Sequence, residues 1–456
     1  EAAEWARREL ASYGLANAAL EPWGARRGRG WVVDSYSVEL TEPRYARIVA
    51  SPRAWSPPTA GVVRGRPVVL ELRDSADLDR HRGELRGAIV LAGPAAPRDT
   101  AHQRWRFQPP ARRRTPAELD SMARLADPGA PRDYWEDAGG YTGRVRARLR
   151  FAARLREAGV AALLEPSRNE YGVQVSSYQA YDTDVSGAVP AFVVARPDYD
   201  RLVRLAERGG PMTVELSLRA HYLPASDSTG YNVVAELPGS DPALRDEVVM
   251  LGGHFDSWNP GTGATDNAAG VAAAMEAVRI LAAVGARPRR TVRVALWDGE
   301  EHEDYFGSLG YVRRHFGDPE TMRLLPEHAR LSAYFNLDDG TGRIRGVQLQ
   351  GNAAARPILA AFLAPFADLG AATVSIANSG STDHVPFRGV GLPAFNFIQD
   401  PIDYESRTHH TSLDVASALL EEDLRQAAVV LASVVYHTAN RAERMPRTEL
   451  PKPRGH

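Results

Sequence analysis

The chain has 456 residues, 44% hydrophobic and 25% charged, with 55 Lys and Arg against 57 Asp and Glu and a formal net charge of −2. The proportions are those of an ordinary globular protein. The length suits two or three domains at roughly 150 residues each, and the balanced charge offers no field for nucleic acid or an anionic membrane. Cysteine is absent and the single lysine is Lys452, so thiol nucleophiles, disulfides, cysteine metal sites and, in the folded body, a Schiff-base or phosphate-loop lysine are excluded. No apolar run approaches about 18 residues, and no membrane span is expected.

Residues 1–13 read as a helix with Ala, Trp and Leu on one side and Arg and Glu on the other, stopped at Gly14. The chain opens inside this pattern with no recognisable signal peptide, and trimming of upstream residues is expected. Beyond residue 60, strands are predicted over 66–72, 85–91, 160–164 and 189–194, with a helix from Phe151 to Gly159. Between them, residues 94–145 are rich in Pro, Arg and Asp with little periodicity and read as a long surface insertion. In it, Arg112-Arg113-Arg114 is either a basic binding patch or, more simply, a solvated charge run.

From Gly230 the pattern alternates strand and helix. Strands are predicted over 231–237, 247–251, 291–297, 331–337 and 394–398, an Ala-rich helix over 267–283 and a closing helix over 420–438. This predicts an α/β fold with a mostly parallel central sheet and helices on both faces, joined to a smaller β-rich domain.

Chemistry-bearing residues gather where such a sheet binds ligands, outside the carboxyl ends of its strands. His254 and Asp256 follow one strand, Glu300 and Glu301 another, Asp338 and Asp339 a third; His409 and His410 lie about a dozen residues past a fourth, and Asp266 sits where the Ala-rich helix begins. Each has a plainer reading. Asp266 after Thr265 is a helix cap, His254 a loop histidine, Glu300-Glu301 a solvated turn, Asp338-Asp339-Gly340 a simple turn, His409-His410 a surface pair, and Asp256 an Asx-turn residue. The coincidence of all of them at one edge favours a metal site. Two histidines and three carboxylates suit zinc, and also cobalt or manganese. Two ions bring four positive charges, which three carboxylates and a hydroxide neutralise, and Asp266 is the natural bridge because each of its oxygens can reach one ion. Of the adjacent Glu300 and Glu301, one can ligate while the other takes a proton from metal-bound water, which is hydrolytic chemistry.

At these positions the sequence resembles the dinuclear zinc exopeptidases, the family of leucine-type aminopeptidases, glutamate carboxypeptidase and carboxypeptidase Q. The resemblance rests on GGHFDS at 252–257, TDNAAG at 265–270, WDGEE at 297–301, NLD at 336–338, STDHVPF at 381–387 and HTSLD at 410–414. It implies two zinc ions held by His254, Asp266, Glu301, Asp338 and His410, with Asp266 bridging and Glu300 as general base. His410 is preferred over His409 because the family places His directly before Thr or Ser. Asp256 is expected to orient His254 from behind, and Asp383 and His384 to support the site or hold substrate. Arg388 and Arg407 are candidates for a substrate carboxylate.

Residues 61–220 resemble a protease-associated domain on LRGAIVL at 85–91, AGVAALL at 158–164 and VPAFVV at 189–194. The implied organisation puts residues 1–60 with the catalytic domain at 221–445, residues 61–220 in the insert, and a Pro-rich tail at 446–456. The loop His302–Phe306 is one residue longer than the family pattern. The implied function is peptide hydrolysis at a chain terminus, amino or carboxyl, by a secreted or periplasmic monomer or homodimer. Two other readings stand beside it: a receptor-like binding protein of the same fold without catalysis, against which the complete ligand set counts, and a one-zinc glutaminyl cyclase-like acyl transferase.

Overall fold

The computed structural model describes residues 1–25, 30–72, 75–96, 111–126, 138–175, 177–178, 187–224, 229–301, 305–380 and 382–453. The loop residues 302–304, Ser381 and, within 94–145, residues 97–110 and 127–137 lie outside them. An eight-stranded sheet forms the centre of the larger unit. Its order is Ala16–Ala25, Thr229–Leu237, Thr291–Trp297, Val248–His254, Leu331–Asn336, Ala394–Gln399, Ile344–Gln348, Thr373–Ser375. The four strands Thr291–Trp297, Val248–His254, Leu331–Asn336 and Ala394–Gln399 are mutually parallel. Antiparallel strands flank them on both sides. The fold class is the α/β arrangement read from the sequence.

The strands are almost wholly buried, as near-continuous apolar runs must be when helices cover both faces. On one face the helix Ala269–Ala283 turns Ala273, Ala274, Ala277 and Val278 into the core against the helix Glu421–Asn440. The small side chains let the two axes approach. On the other face Trp297, Tyr311, Tyr334 and Phe387 pack together, drawing in the helices Phe306–His315 and His384–Arg388.

The consecutive glycines at 252 and 253 have a steric cause. A Cβ on Gly252 would lie 1.7 Å from the Ala295 carbonyl oxygen, and one on Gly253 would lie 2.7 Å from Asn267 Nδ2 and 2.9 Å from the Leu337 oxygen. The strand carrying His254 can approach its neighbours only without side chains at these positions.

The first helix, Ala2–Ser12, buries Ala6 and Leu10 in the main core. The strand Ala16–Ala25 then pairs antiparallel with Thr229–Leu237, so Ala25 lies opposite Thr229. The second unit enters and leaves between these two strands. It has a four-stranded sheet, Ala46–Arg47, Trp31–Glu42, Thr213–Tyr222, Val63–Gly65. It also has a five-stranded sheet, Ala50–Pro52, Ala191–Val194, Ala162–Pro166, Ile89–Ala92, Val68–Leu70. Between them the helix Arg196–Glu207 buries Tyr199, Leu202 and Val203.

The sequence reading assigned residues 1–60 to the catalytic unit. In the structure only the first 25 sit there, because Trp31–Glu42 finds its partner in Thr213–Tyr222, a pairing no local pattern announces. The described part of the 94–145 stretch also departs from a solvated run. The helix Pro116–Ala123 starts with a capping box between Thr115 and Glu118 and buries Leu119. Arg113 bonds Asp400 at 2.9 Å and Asp423 at 2.6 Å, so this arginine is neither a free patch nor solvated decoration.

Gly252→Ala is expected to destabilise the protein by about 3 kcal/mol or to prevent folding, because the clash is with backbone of the adjacent central strand. A urea denaturation midpoint measures it.

Candidate metal centre and active site

The parallel strands bring their carboxyl ends to one edge, and the site is built there from the turns that follow. His254 ends its strand, is 1% exposed, and faces three carboxylates. Its Nε2 lies 3.2 Å from Asp338 Oδ1, 3.3 Å from Asp266 Oδ1 and 4.0 Å from Glu300 Oε2. His410 Nε2 lies 2.9 Å from Glu301 Oε2 and 3.2 Å from Asp266 Oδ2. Asp266 therefore stands between two histidines, with one oxygen toward each. His254, Asp266 and Glu301 present ligand atoms within 4.8 Å of one another, as do Asp266, His409 and His410. His409 is the more distant imidazole, 3.9 Å from Asp266 Oδ2, and its ring packs on that of His410.

Asp266 is not a helix cap. Asp266 and Asn267 have non-helical backbone angles, and the helix begins at Ala269. Asn267 instead ties the segment down, donating from Nδ2 to the Leu337 carbonyl at 3.0 Å and accepting from the Gly270 amide at 3.1 Å. Asp414 fixes the same segment from the other side. It accepts from the Thr265 amide at 2.6 Å, the Thr265 hydroxyl at 2.8 Å and the Asp266 amide at 3.2 Å.

Asp256 serves two groups. Its backbone carbonyl lies 3.0 Å from His254 Nδ1, and its carboxylate accepts the amides of Glu300 at 3.2 Å and Glu301 at 3.3 Å. The expectation of a carboxylate directly behind His254 is thus met by the carbonyl, with the carboxylate oxygen 3.6 Å away. A proton on Nδ1, bonded to that carbonyl, orients the ring so that Nε2 faces the carboxylates, where it would be free to ligate a cation.

Asp298 anchors the same turn from the opposite side, accepting from Trp23 Nε1 at 3.1 Å, while its amide bonds Asn232 Oδ1 at 3.2 Å. Beneath the site a buried polar chain links the strand ends: Trp297 Nε1 to Tyr334 hydroxyl, that hydroxyl to Asn336, and Asn336 to Thr382 and Asn396. Asp383 is fully buried nearby, and burial pushes its carboxyl up to about 8. His384 turns to Ser379 at 3.3 Å, away from the carboxylates, and burial beside Arg388 holds its pKa well down. Arg407 lies 3.4 Å from Asp403 and over the Tyr171 ring.

The roles of Asp414, Asn267, Asp298 and Trp23 escaped the sequence reading. Asp414 and Asp298 stood inside recognised motifs, but only the folded chain shows which backbone groups they hold.

The electrostatics describe a cluster in need of cations. Burial drives Glu300 well above the usual carboxylate range, helped by Asp338 and Asp383. Burial and the neighbouring Asp266 push Glu301 up to about 7. Burial would lower both histidines, but the carboxylates outweigh it, raising His410 to about 10 and His254 well above its ordinary value. Asp266 is held well below its usual range against its burial by bonds to the two histidines. Glu301 Oε1 is buried without a hydrogen-bond partner, and buried Asp266 Oδ2 meets the His410 imidazole at 3.2 Å. Buried carboxylate oxygens without donors are costly unless something positive meets them. A mixed set of imidazole and carboxylate donors suits zinc.

Comparison with known proteins finds similarity to peptidases. Residues 232–435 match the model described as Peptidase family M28. The chain is 29% identical to carboxypeptidase Q of Mus musculus over 311 residues, covering 68% of this chain and 63% of that protein, so it spans under two thirds of the relative's length. Among solved structures it is similar to a peptidase M28 precursor from Shewanella amazonensis SB2B, with TM-score 0.69 and 24% identity over 99% of this chain and 90% of that one. It is also similar to BSAP, a zinc aminopeptidase from Bacillus subtilis, with TM-score 0.58 and 18% identity over 95% of this chain and 87% of that one. Among the described residues no helix is long and apolar enough to cross a membrane.

Zinc is expected to stabilise the chelator-treated protein by about 2.7 kcal/mol at a free concentration one hundred times its Kd, seen as a rise of the thermal midpoint that a chelator reverses. Asp266→Asn should lose most of that rise.

Proposed function

We propose, from the match of residues 232–435 to peptidase family M28, that the chain is a metallo-exopeptidase of that family holding two zinc ions. The observation that carries the reading is the division of Asp266, whose oxygens face His254 at 3.3 Å and His410 at 3.2 Å. One ion would be held by His254, Asp338 and Asp266, the other by His410, Glu301 and Asp266. Glu301 Oε1, buried without a hydrogen-bond partner, and Asp266 Oδ2, facing His410, fit such ligation. When bound, zinc supplies Lewis acidity, polarising the scissile carbonyl and acidifying water.

The chain's own residues do the rest. Glu300 stands at the edge of the cluster, 4.0 Å from His254 Nε2, with its amide held by Asp256. Its carboxylate accepts a proton from the attacking water and returns it to the leaving amine. Asp256 keeps Glu300 and Glu301 on divergent courses from one turn, so the base and the ligand do not compete. Asp383, buried beside these groups, raises the proton affinity of Glu300 further once it ionises. The substrate is a peptide cleaved at one terminus, as carboxypeptidase Q and the zinc aminopeptidase suggest by name. Export from the cytoplasm completes the reading.

Glu300→Gln is expected to bind zinc as the wild type does and to lose about 10²- to 10⁴-fold in kcat on amino-acid amides and dipeptides. Wild-type turnover by this variant would remove Glu300 from the mechanism.

A further inference from the structure

The second unit reaches the metal centre through a short strap. Residues 172–175 run antiparallel to residues 410–412. Val175 donates its amide to the His410 carbonyl at 2.7 Å, and Ser412 donates to the Val173 carbonyl at 2.9 Å. Val173 donates in turn to Ser412 Oγ at 3.0 Å, and Gln174 faces Thr411 as a single bridge. The contact is close: Gly172 has φ +64, and a Cβ there would lie 2.8 Å from Ser412 Oγ and 2.9 Å from Leu413 Cγ.

The strap's other side belongs to the second unit. Val173 is 1% exposed and packs with Val193 and Ala195. Gln174 donates its amide to Ser167 Oγ at 3.0 Å, and Ser167 in turn bonds the Val194 carbonyl. Farther on, Ala54 bridges Ser177 and accepts from the Tyr178 amide at 3.0 Å. Trp55 packs edge-on against Trp258, which packs against the His410 ring.

His410 itself has φ +58, a left-handed conformation that a non-glycine residue seldom adopts. Such a conformation persists where the surroundings over-determine it, and here the hydrogen bond from the strap falls on the carbonyl of that same residue.

We propose that the strap 172–175 is a positioning element for His410, so that metal binding at the His410–Glu301–Asp266 side and docking of the second unit on the ligand loop are coupled. The inference rests on the two-zinc reading above. Coupling between two events is reciprocal. Zinc tightens the strap by fixing His410, and the strap raises zinc affinity by pre-forming the loop.

The test uses the full chain. Amide exchange at Val175 is compared in zinc-loaded and chelator-treated protein, with Leu216 as an internal control in the second unit's four-stranded sheet. Exchange at Val175 is expected to slow about tenfold or more with zinc while Leu216 is unchanged. Chelator competition then measures zinc affinity in two variants. Ser412→Ala removes the acceptor of the Val173 amide, and Gly172→Ala pushes the strap off the loop. Each is expected to weaken the second zinc equivalent by about 10-fold or more, the scale of losing a group that orients a ligand. Ser217→Ala, which removes only the Ser37–Ser217 hydroxyl contact inside the second unit, should bind both equivalents normally. Zinc uptake with unchanged exchange at Val175 and wild-type affinity in both strap variants would overturn the inference alone. A wild-type chain that takes up no zinc would overturn it together with the two-zinc reading.

Discussion

The structure turns on one buried carboxylate. Asp266 is 4% exposed, yet it carries a charge, and among the described residues its ion-pair partners are histidines. Two imidazoles face it, one on each oxygen. Burying an unpaired charge costs several kcal/mol, so the fold must supply positive charge at that point. Protonated histidines are one source and divalent cations another. A cation also answers Glu301 Oε1, which is buried without a hydrogen-bond partner.

Much of the surrounding architecture keeps this carboxylate in place. The adjacent glycines let the His254 strand approach its neighbours until Ala295 and Leu337 leave no room for a side chain. Asp414 grips the backbone of Thr265 and Asp266, Asn267 ties the next turn to Leu337, and Asp256 and Asp298 hold the turn bearing Glu300 and Glu301. These groups act on backbone amides and carbonyls, so the site owes its precision to strand ends and turns. The second unit joins this framework through the strap against His410, which makes it part of the site's mechanical support.

The strand and helix periodicities of residues 230–440 were legible because the central strands are continuous apolar runs and the helices carry regular buried faces. The grouping of His254, Asp266, Glu300, Glu301, Asp338 and His410 was legible for a geometric reason: parallel strands deliver whatever follows them to one edge. Long-range pairings were not legible. Trp31–Glu42 meets Thr213–Tyr222 across most of the insertion, and nothing in its own residues names that partner, so the sequence boundary near residue 60 fell inside a sheet. Asp256 does more than its sequence position suggests: its carboxylate lies 3.6 Å from the His254 ring and also accepts the amides of Glu300 and Glu301, contacts that only the folded turn shows. His384, which stands beside Asp383 in the STDHVPF stretch, turns to Ser379 at 3.3 Å.

Diffraction on either side of the zinc absorption edge, from crystals grown with zinc, tests the central claim most directly. The account predicts two anomalous peaks flanking Asp266, one nearest His254 and Asp338 and the other nearest His410 and Glu301. A single peak, or zinc bound with Asp266 outside its coordination, would contradict it.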